Sequence, residues 1–516
     1  MGTQIGDVAR QAARRFGETP LYVSPSGSVL TYAALDRLSD TAARRLVARG
    51  VTTGDVVALL LPSGAAYAVL YVAAAKIGAV TAGVNDRLSP PERRSCLAVA
   101  DPRLVIGAPP LLRATDVGTV VPAAAVVAVD PGAEPTEALG GLEEGPSSPA
   151  TATALPTLPD DPERPVAIVF TSGTTGRPKG AVFGDRQLDA IAAVDGGRRW
   201  GAGGRGLSST SFAHLGYMTK ILQGLRGGGT TFLMEKWSAG PALEMVARHR
   251  LTSLGGIPTQ VALMLAHPSF ASTATSSIRL IARGGGPATA ALVREARARF
   301  GVPVVVRYTC TEAGVGVGTV AEDDPEDAEI SVGRARAGVE LTIRDEADGL
   351  LAPGQTGQVC LRSAAVMSGY YGDPQATAAA LTAEGAVRTG DLGYLDDHGR
   401  LHLAGRSKEM YVRGGYNVFP LEVEDVLSDH PGVAHVAVAP RQDPVMGEIG
   451  VAVVVPRAGA AVSLASLRAH AEGRLAPYKL PEGLLLTDEL PRTAMEKIDR
   501  TALAETVRSA EVDRRR

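Results

Sequence analysis

The chain has 516 residues, 45% of them hydrophobic and 21% charged, with a formal net charge of −3; this length exceeds what one compact core serves and favours two or more domains. No run reaches the roughly 18 uninterrupted apolar residues of a membrane span, and the slightly acidic balance argues against a nucleic-acid partner, whose phosphates favour a basic face. Cys96, Cys310 and Cys360 are odd in number and far apart, so they offer neither a disulfide framework nor a paired-cysteine zinc site, and a reducing cytoplasm is the expected location.

The start of the chain carries Asp7 and no apolar block, unlike a secretory signal. Gly6 stands where a myristoylation site needs a hydroxyl residue. Ile5, Val8, Ala9, Ala12 and Phe16 recur at helical spacing and predict a helix over 5–17. Residues 21–23 and 29–32 then read as a hairpin around Ser-Pro-Ser-Gly, with Thr31 as the cap of a helix that runs to Gly50. From 56 onward the pattern is strand (56–61), helix (65–77) and strand (80 onward), the alternation of a doubly wound α/β domain. Residues 107–160 are rich in Ala, Pro, Gly and acids, and predict poorly ordered linking segments around one strand near 120–129.

Residues 166–170 are apolar and largely β-branched, as in a buried strand. The strand stops at Thr171, and the following Ser-Gly-Thr-Thr-Gly-Arg-Pro-Lys-Gly180 has little to bury, many free N–H groups and two cations, a composition suited to surrounding phosphate oxygens. The Walker loop needs G-x-x-x-x-G-K-[ST], whereas here Lys179 is followed by glycine. Thr-Ser-Gly-Thr-Thr-Gly-Arg-Pro-Lys-Gly resembles the signature loop of the adenylate-forming superfamily of acyl-CoA synthetases, peptide-synthetase adenylation domains and luciferases. The resemblance implies that Thr171, Ser172, Gly173, Thr174, Thr175, Gly176 and Lys179 hold the β- and γ-phosphates of ATP. Of the 52 basic residues only Lys76, Lys179, Lys220, Lys236, Lys408, Lys479 and Lys497 are lysines. Each is therefore of interest, because lysine is a compact point charge where arginine is a bulky fork.

Beyond the loop, 185–195 reads as helical, and His214 lies where the family places a histidine or aromatic residue lining the acyl pocket. Lys220 follows with no family role. Gly284, Gly285 and Gly286 end a strand; without Cβ atoms they let a flat ring approach the backbone, and the family binds adenine there. The strand 304–308 runs into Tyr-Thr-Cys-Thr-Glu312, which resembles the family's Tyr-Gly-x-Thr-Glu. That resemblance implies Tyr308 stacked on adenine, Thr311 at the α-phosphate and Glu312 on Mg2+, with Thr309 replacing the usual glycine. Cys310 lacks a Cys-His signature and is not read as a nucleophile. Residues 357–371 read as a hairpin.

Asp391, in Val-Arg-Thr-Gly-Asp, and Arg406 resemble the family's ribose contacts, and Lys408 stands at its hinge. Gly414-Gly415 has the acyl-CoA synthetase form, which approaches the pantetheine arm of coenzyme A. Lys497 matches the lysine that bridges the substrate carboxylate and the α-phosphate, while Glu496 replaces a glycine. The expected fold is α/β: a large N-terminal domain of doubly wound sheets with a β-rich subdomain (1–407), and a small, mobile α+β C-terminal domain (408–516).

The implied activity is an AMP-forming acid–thiol ligase using ATP, Mg2+ and coenzyme A. The resemblance assigns catalysis to Lys497, His214, Thr311 and Glu312, and binding of the nucleotide or coenzyme A to the loop residues 171–176 with Lys179, to Gly284–Gly286, Tyr308, Asp391 and Arg406, and to Lys408, Gly414 and Gly415. Residues 208–217 contain no aspartate for an ammonium group, which favours a plain fatty, aromatic or polycyclic acid over an amino acid. Two alternatives stay open: a thioester-forming half supplied with acyl-adenylate by a separate enzyme, as the charge of Glu496 invites, and an enzyme loading a carrier protein.

Overall fold

The strands Val56–Leu60 and Leu104–Gly107 are buried at every position, the continuous apolar run expected of parallel strands covered on both faces. In the computed structural model, which describes residues 4–142, 154–171, 177–196, 198–286, 288–406, 409–493 and 497–514, they lie inside a seven-stranded sheet. Its order is Gly369–Tyr370, Lys179–Gly184, Pro165–Thr171, Val80–Gly83, Val56–Leu60, Leu104–Gly107, Ala125–Ala128. The strands from Pro165–Thr171 to Ala125–Ala128 run parallel, and the two at the other edge are joined antiparallel. The helix Ala65–Lys76 is buried on nearly all sides. Its terminal Lys76 is 2.6 Å from both Asp36 and Asp40, a pairing that a buried ammonium requires.

Helix Ile5–Phe16 and helix Tyr32–Ala48 form where the spacing places them, and Thr31 Oγ1 accepts from Ala34 N at 3.1 Å as the N-cap. Strands Pro20–Val23 and Val29–Thr31 pair antiparallel and belong to a second sheet with Thr230–Leu233 and Arg205–Ser208. Within 107–160 the strand is Ala125–Ala128, but the flanks hold the short helices Pro109–Thr115 and Val117–Val120. Prolines at the first helical positions begin Pro109–Thr115, so residues that read as breakers act here as starters.

A third sheet carries parallel Ser253–Gly256, Leu280–Gly284 and Val304–Tyr308, then antiparallel Val317–Gly318 and Arg334–Ala335. A fourth, antiparallel throughout, contains Glu340–Arg344, Gly357–Arg362, Val387–Leu395 and Leu401–Arg406. Residues 357–371 are therefore not one hairpin. Gly357–Arg362 joins this sheet, whereas Gly369–Tyr370 crosses to the seven-stranded sheet and pairs with Lys179–Gly184.

The last part of the chain has its own sheet, built on antiparallel Val433–Asp443 and Gly447–Pro456. Its core includes Tyr411, Val423, Leu427, Val438, Val454 and Leu467, separate from the larger cores before it. Large and small α/β domains are thus both present. Among the described residues, no helix is long and apolar enough to cross a membrane.

Candidate active site

Two neighbouring strand ends open the candidate site. Leu280–Gly284 and Val304–Tyr308 are adjacent parallel strands, and their carboxyl ends deliver Gly284–Gly286 and Tyr308–Glu312 side by side. Strand ends of this kind are where open α/β sheets bind ligands. A Cβ on Gly284 would lie 2.8 Å from the Arg307 carbonyl oxygen, and Gly285 has φ +77°, so both positions demand glycine.

Tyr308 leaves its strand and donates its hydroxyl to Asp391 Oδ2 at 2.7 Å and to Thr389 Oγ1 at 3.3 Å. Asp391 is paired in register with Arg406 across neighbouring strands, and Arg406 Nε lies 3.0 Å from Asp391 Oδ1. One carboxylate therefore holds a phenol and a guanidinium and keeps further lone pairs as acceptors. Burial and then the Asp391 charge push the Tyr308 hydroxyl well above its usual pKa, so it stays a donor. Thr389 anchors the group by donating to the Val359 carbonyl at 2.9 Å. It lies inside the quoted Val-Arg-Thr-Gly-Asp segment, yet no role fell to it from sequence.

Lys497 arrives from the small domain. The Thr493 N–H donates to the Lys497 carbonyl at 2.8 Å, and Lys497 Cε comes within 3.8 Å of a Cβ built on Gly285. Its side chain is reached by solvent within the cleft but crowded by protein: burial first, then Arg406, lower its ammonium pKa, against the pull of Asp391. The structure thus brings Lys497, Gly285, Asp391 and Arg406 together.

His214 belongs to the same neighbourhood. It caps helix Leu215–Met218, accepting the Gly216 N–H on Nδ1 at 3.2 Å, which leaves the proton of the neutral ring on Nε2. Burial, then the charges of Lys497 and Lys220, push its pKa down to about 4, so it is neutral near pH 7. Lys220 pairs with Asp195 at 2.5 Å. Lys479, likewise, pairs with Glu422 at 2.5 Å in the small domain.

Glu312 sits in the short turn Thr311–Ala313 and accepts from the Tyr370 hydroxyl on Oε1 at 2.6 Å. Lys179 opens the strand Lys179–Gly184, and its ammonium lies 4.9 Å from the centroid of the same Tyr370 ring. Tyr370 escaped sequence reasoning, its one signal being Ser368-Gly-Tyr-Tyr371 inside the misread hairpin. Among the described residues, no group of three or more His, Cys, Asp and Glu side chains could hold a metal ion unaided. A single hard carboxylate, Glu312, suits a magnesium ion only as one ligand among others.

Half-buried Cys310 stands next to Thr311; burial and then the Glu312 charge raise its thiol well above the usual value. Gly414 and Gly415 form the exposed turn between Tyr411–Arg413 and Tyr416–Val418, with φ +55° and +87°. Met446 approaches Gly414, and nothing lies within 4 Å of a Cβ on Gly415. Ser172, Gly173, Thr174, Thr175, Gly176, Lys408 and Glu496 lie outside the described residues.

Comparison with known proteins shows the family. The AMP-binding enzyme family model matches residues 9–371, and the AMP-binding enzyme C-terminal domain matches 422–497. An indoleacetate–CoA ligase of Aromatoleum aromaticum is 34% identical over 91% of each chain. A long-chain-fatty-acid–CoA ligase of Mycobacterium tuberculosis is 31% identical over 97% of this chain and 98% of its own. The crystal structure of ATP-bound MatB from Rhodopseudomonas palustris superposes with a TM-score of 0.85, at 26% identity over 98% and 99% of the two chains. This chain belongs to the AMP-binding enzymes of the adenylate-forming superfamily, in the acyl-CoA synthetase branch, and is an AMP-forming acid–thiol ligase.

Proposed function

We propose that the chain activates a bulky, mainly apolar carboxylic acid, aromatic or fatty, and transfers its acyl group to coenzyme A. The acids in the relatives' names, indoleacetate and long-chain fatty acids, support that class. In the first step a carboxylate oxygen attacks the α-phosphorus of ATP and pyrophosphate leaves. In the second, the thiol sulfur of coenzyme A attacks the acyl carbon and AMP leaves. Those relatives are named as CoA ligases, which does not favour a thioester-forming half supplied by a partner or a carrier-loading enzyme.

The observation that carries this reading is Lys497 of the small domain lying against Gly285 in the large one. In that position its ammonium bridges the acid's carboxylate and the α-phosphate, offsetting the charge that gathers as they join. Thr171, Lys179 and the loop 172–176 hold the β- and γ-phosphates, Thr311 the α-phosphate, and Gly284–Gly286 with Tyr308 the adenine. Asp391 and Arg406 hold the ribose, while neutral His214 lines the acid's side of the cleft, donating from Nε2 without adding charge. Glu312 would hold Mg2+, which when bound neutralises the phosphates. For the second step the small domain, taken as 408–516 beyond a hinge at Lys408, turns so that Gly414 and Gly415 meet the pantetheine arm.

Lys497→Ala tests the reading. Pyrophosphate exchange with the preferred acid should fall about 100- to 1,000-fold, the usual effect of removing one preorganised charge contact. Transfer of a ready-made acyl-adenylate to coenzyme A should persist. Equal loss of both half-reactions would mean that Lys497 supports the fold and not the adenylation step.

A further inference from the structure

Lys179 opens a strand and Glu312 sits in the Thr311–Ala313 turn; their side chains are of opposite charge type, and the segment around the short strand Gly369–Tyr370 is fastened to both. On one side Tyr370 registers with Ala181, and the Tyr371 N–H donates to the Gly180 carbonyl at 2.8 Å. On the other the Met367 N–H donates to the carbonyl of Glu312 itself, also at 2.8 Å. The backbone of 367–371 therefore ties the phosphate-loop strand to the Thr311–Ala313 turn, with the Tyr370 side chain between them. Its hydroxyl meets Glu312 at 2.6 Å while the Lys179 ammonium rests 4.9 Å from its ring centroid.

A lysine and a glutamate that pair directly are poorly disposed to ligands, because each charge already has its counterion; here each meets Tyr370 instead. A ring face attracts an ammonium without neutralising it. A phenolic hydroxyl satisfies one carboxylate oxygen without adding charge, and leaves the other free. We propose that Tyr370 is a positioning residue that keeps the Lys179 and Glu312 side chains apart, so that Lys179 is available to phosphate oxygens and Glu312 to their magnesium ion. The inference rests on the function proposed above, which assigns those ligands. It adds that binding of the nucleotide and binding of its metal are coupled through one side chain.

Full-length wild type, Tyr370→Phe and Tyr370→Leu are compared by calorimetric binding of ATP, once with Mg2+ and once with EDTA. Phenylalanine keeps the ring and loses the hydroxyl. Its ATP affinity in EDTA should stay within about twofold of wild type, whereas the gain in affinity conferred by Mg2+ should shrink about tenfold, the worth of one hydrogen bond to a charged group. Leucine loses the ring as well, so its affinity should fall about fivefold even in EDTA. Melting temperatures and coenzyme A transfer from synthetic acyl-adenylate report on folding. An unchanged Mg2+ gain in Tyr370→Phe overturns the proposal, as does an equal loss with and without Mg2+ accompanied by a fall in melting temperature. Wild type that neither binds ATP nor exchanges pyrophosphate would overturn the proposed function and this inference together.

Discussion

His214 shows how one side chain's surroundings set the pH behaviour of the cleft. Burial is the main cause of its depressed pKa, with Lys497 and Lys220 adding to it. The unfolded chain takes up the proton near pH 6.5 and the folded chain only near 4, so folded stability present above pH 6.5 is lost as the pH falls through that interval. Urea titrations of His214→Asn should therefore show a shallower decline between pH 6.5 and 4 than wild type. An identical slope would locate the proton uptake in other groups. Lys497→Ala removes the cation with the larger effect on His214 and should raise its pKa, which imidazole proton resonances would report. Residue roles of this kind were partly legible in the sequence. Tyr308, Asp391, Arg406 and Lys497 stand in resemblance-bearing motifs, and the structure gathers them in one place. Tyr370 was not legible, because its importance comes from strand pairing beside Lys179, many residues away along the chain.

Among the elements, apolar runs and their breaks were easy to read. Val56–Leu60, Pro165–Thr171 and Val304–Tyr308 are strands where the pattern places them. Residues 357–371 were misread because alternation marks a strand but not its partner, and the two strands there enter different sheets. The Gly414-Gly415 turn offers a test at this scale. Gly415 has φ +87° and open space around it, so a leucine there meets backbone strain of about 1–2 kcal/mol instead of a clash. Gly415→Leu should lower thioester formation while pyrophosphate exchange continues. Gly415→Asn, which tolerates the left-handed conformation, should keep more of the second step. If both variants lose the two half-reactions in parallel, the turn serves the fold alone.

For the molecule as a whole, the small domain depends on a charge buried at its own centre. Glu424 is 6% exposed; its carboxylate accepts the Val438 N–H at 2.7 Å and meets Arg500 at 2.5 and 2.9 Å. Arg500 also approaches Glu409 at 3.4 Å. Replacing Arg500 by methionine strands a buried carboxylate, a change that typically destabilises by about 3–5 kcal/mol. Because the small domain has a separate core, calorimetry should show its unfolding moved to lower temperature while the transition of the large domain stays. A single transition shifted as a unit would mean that the two domains unfold together.

The cysteines have a consequence for chemoselectivity. The activated acyl group proposed for this cleft is a mixed anhydride, able to acylate any thiolate it meets, and Cys310 lies two residues from Glu312. Only the thiolate attacks readily, and the burial and neighbouring carboxylate of Cys310 hold its proton in place. Cys96 and Cys360 are buried, their thiols pushed up to about 12 and about 11. A catalyst whose product is a thioester has left its own sulfur inert, so the incoming coenzyme meets no internal competitor for the acyl group.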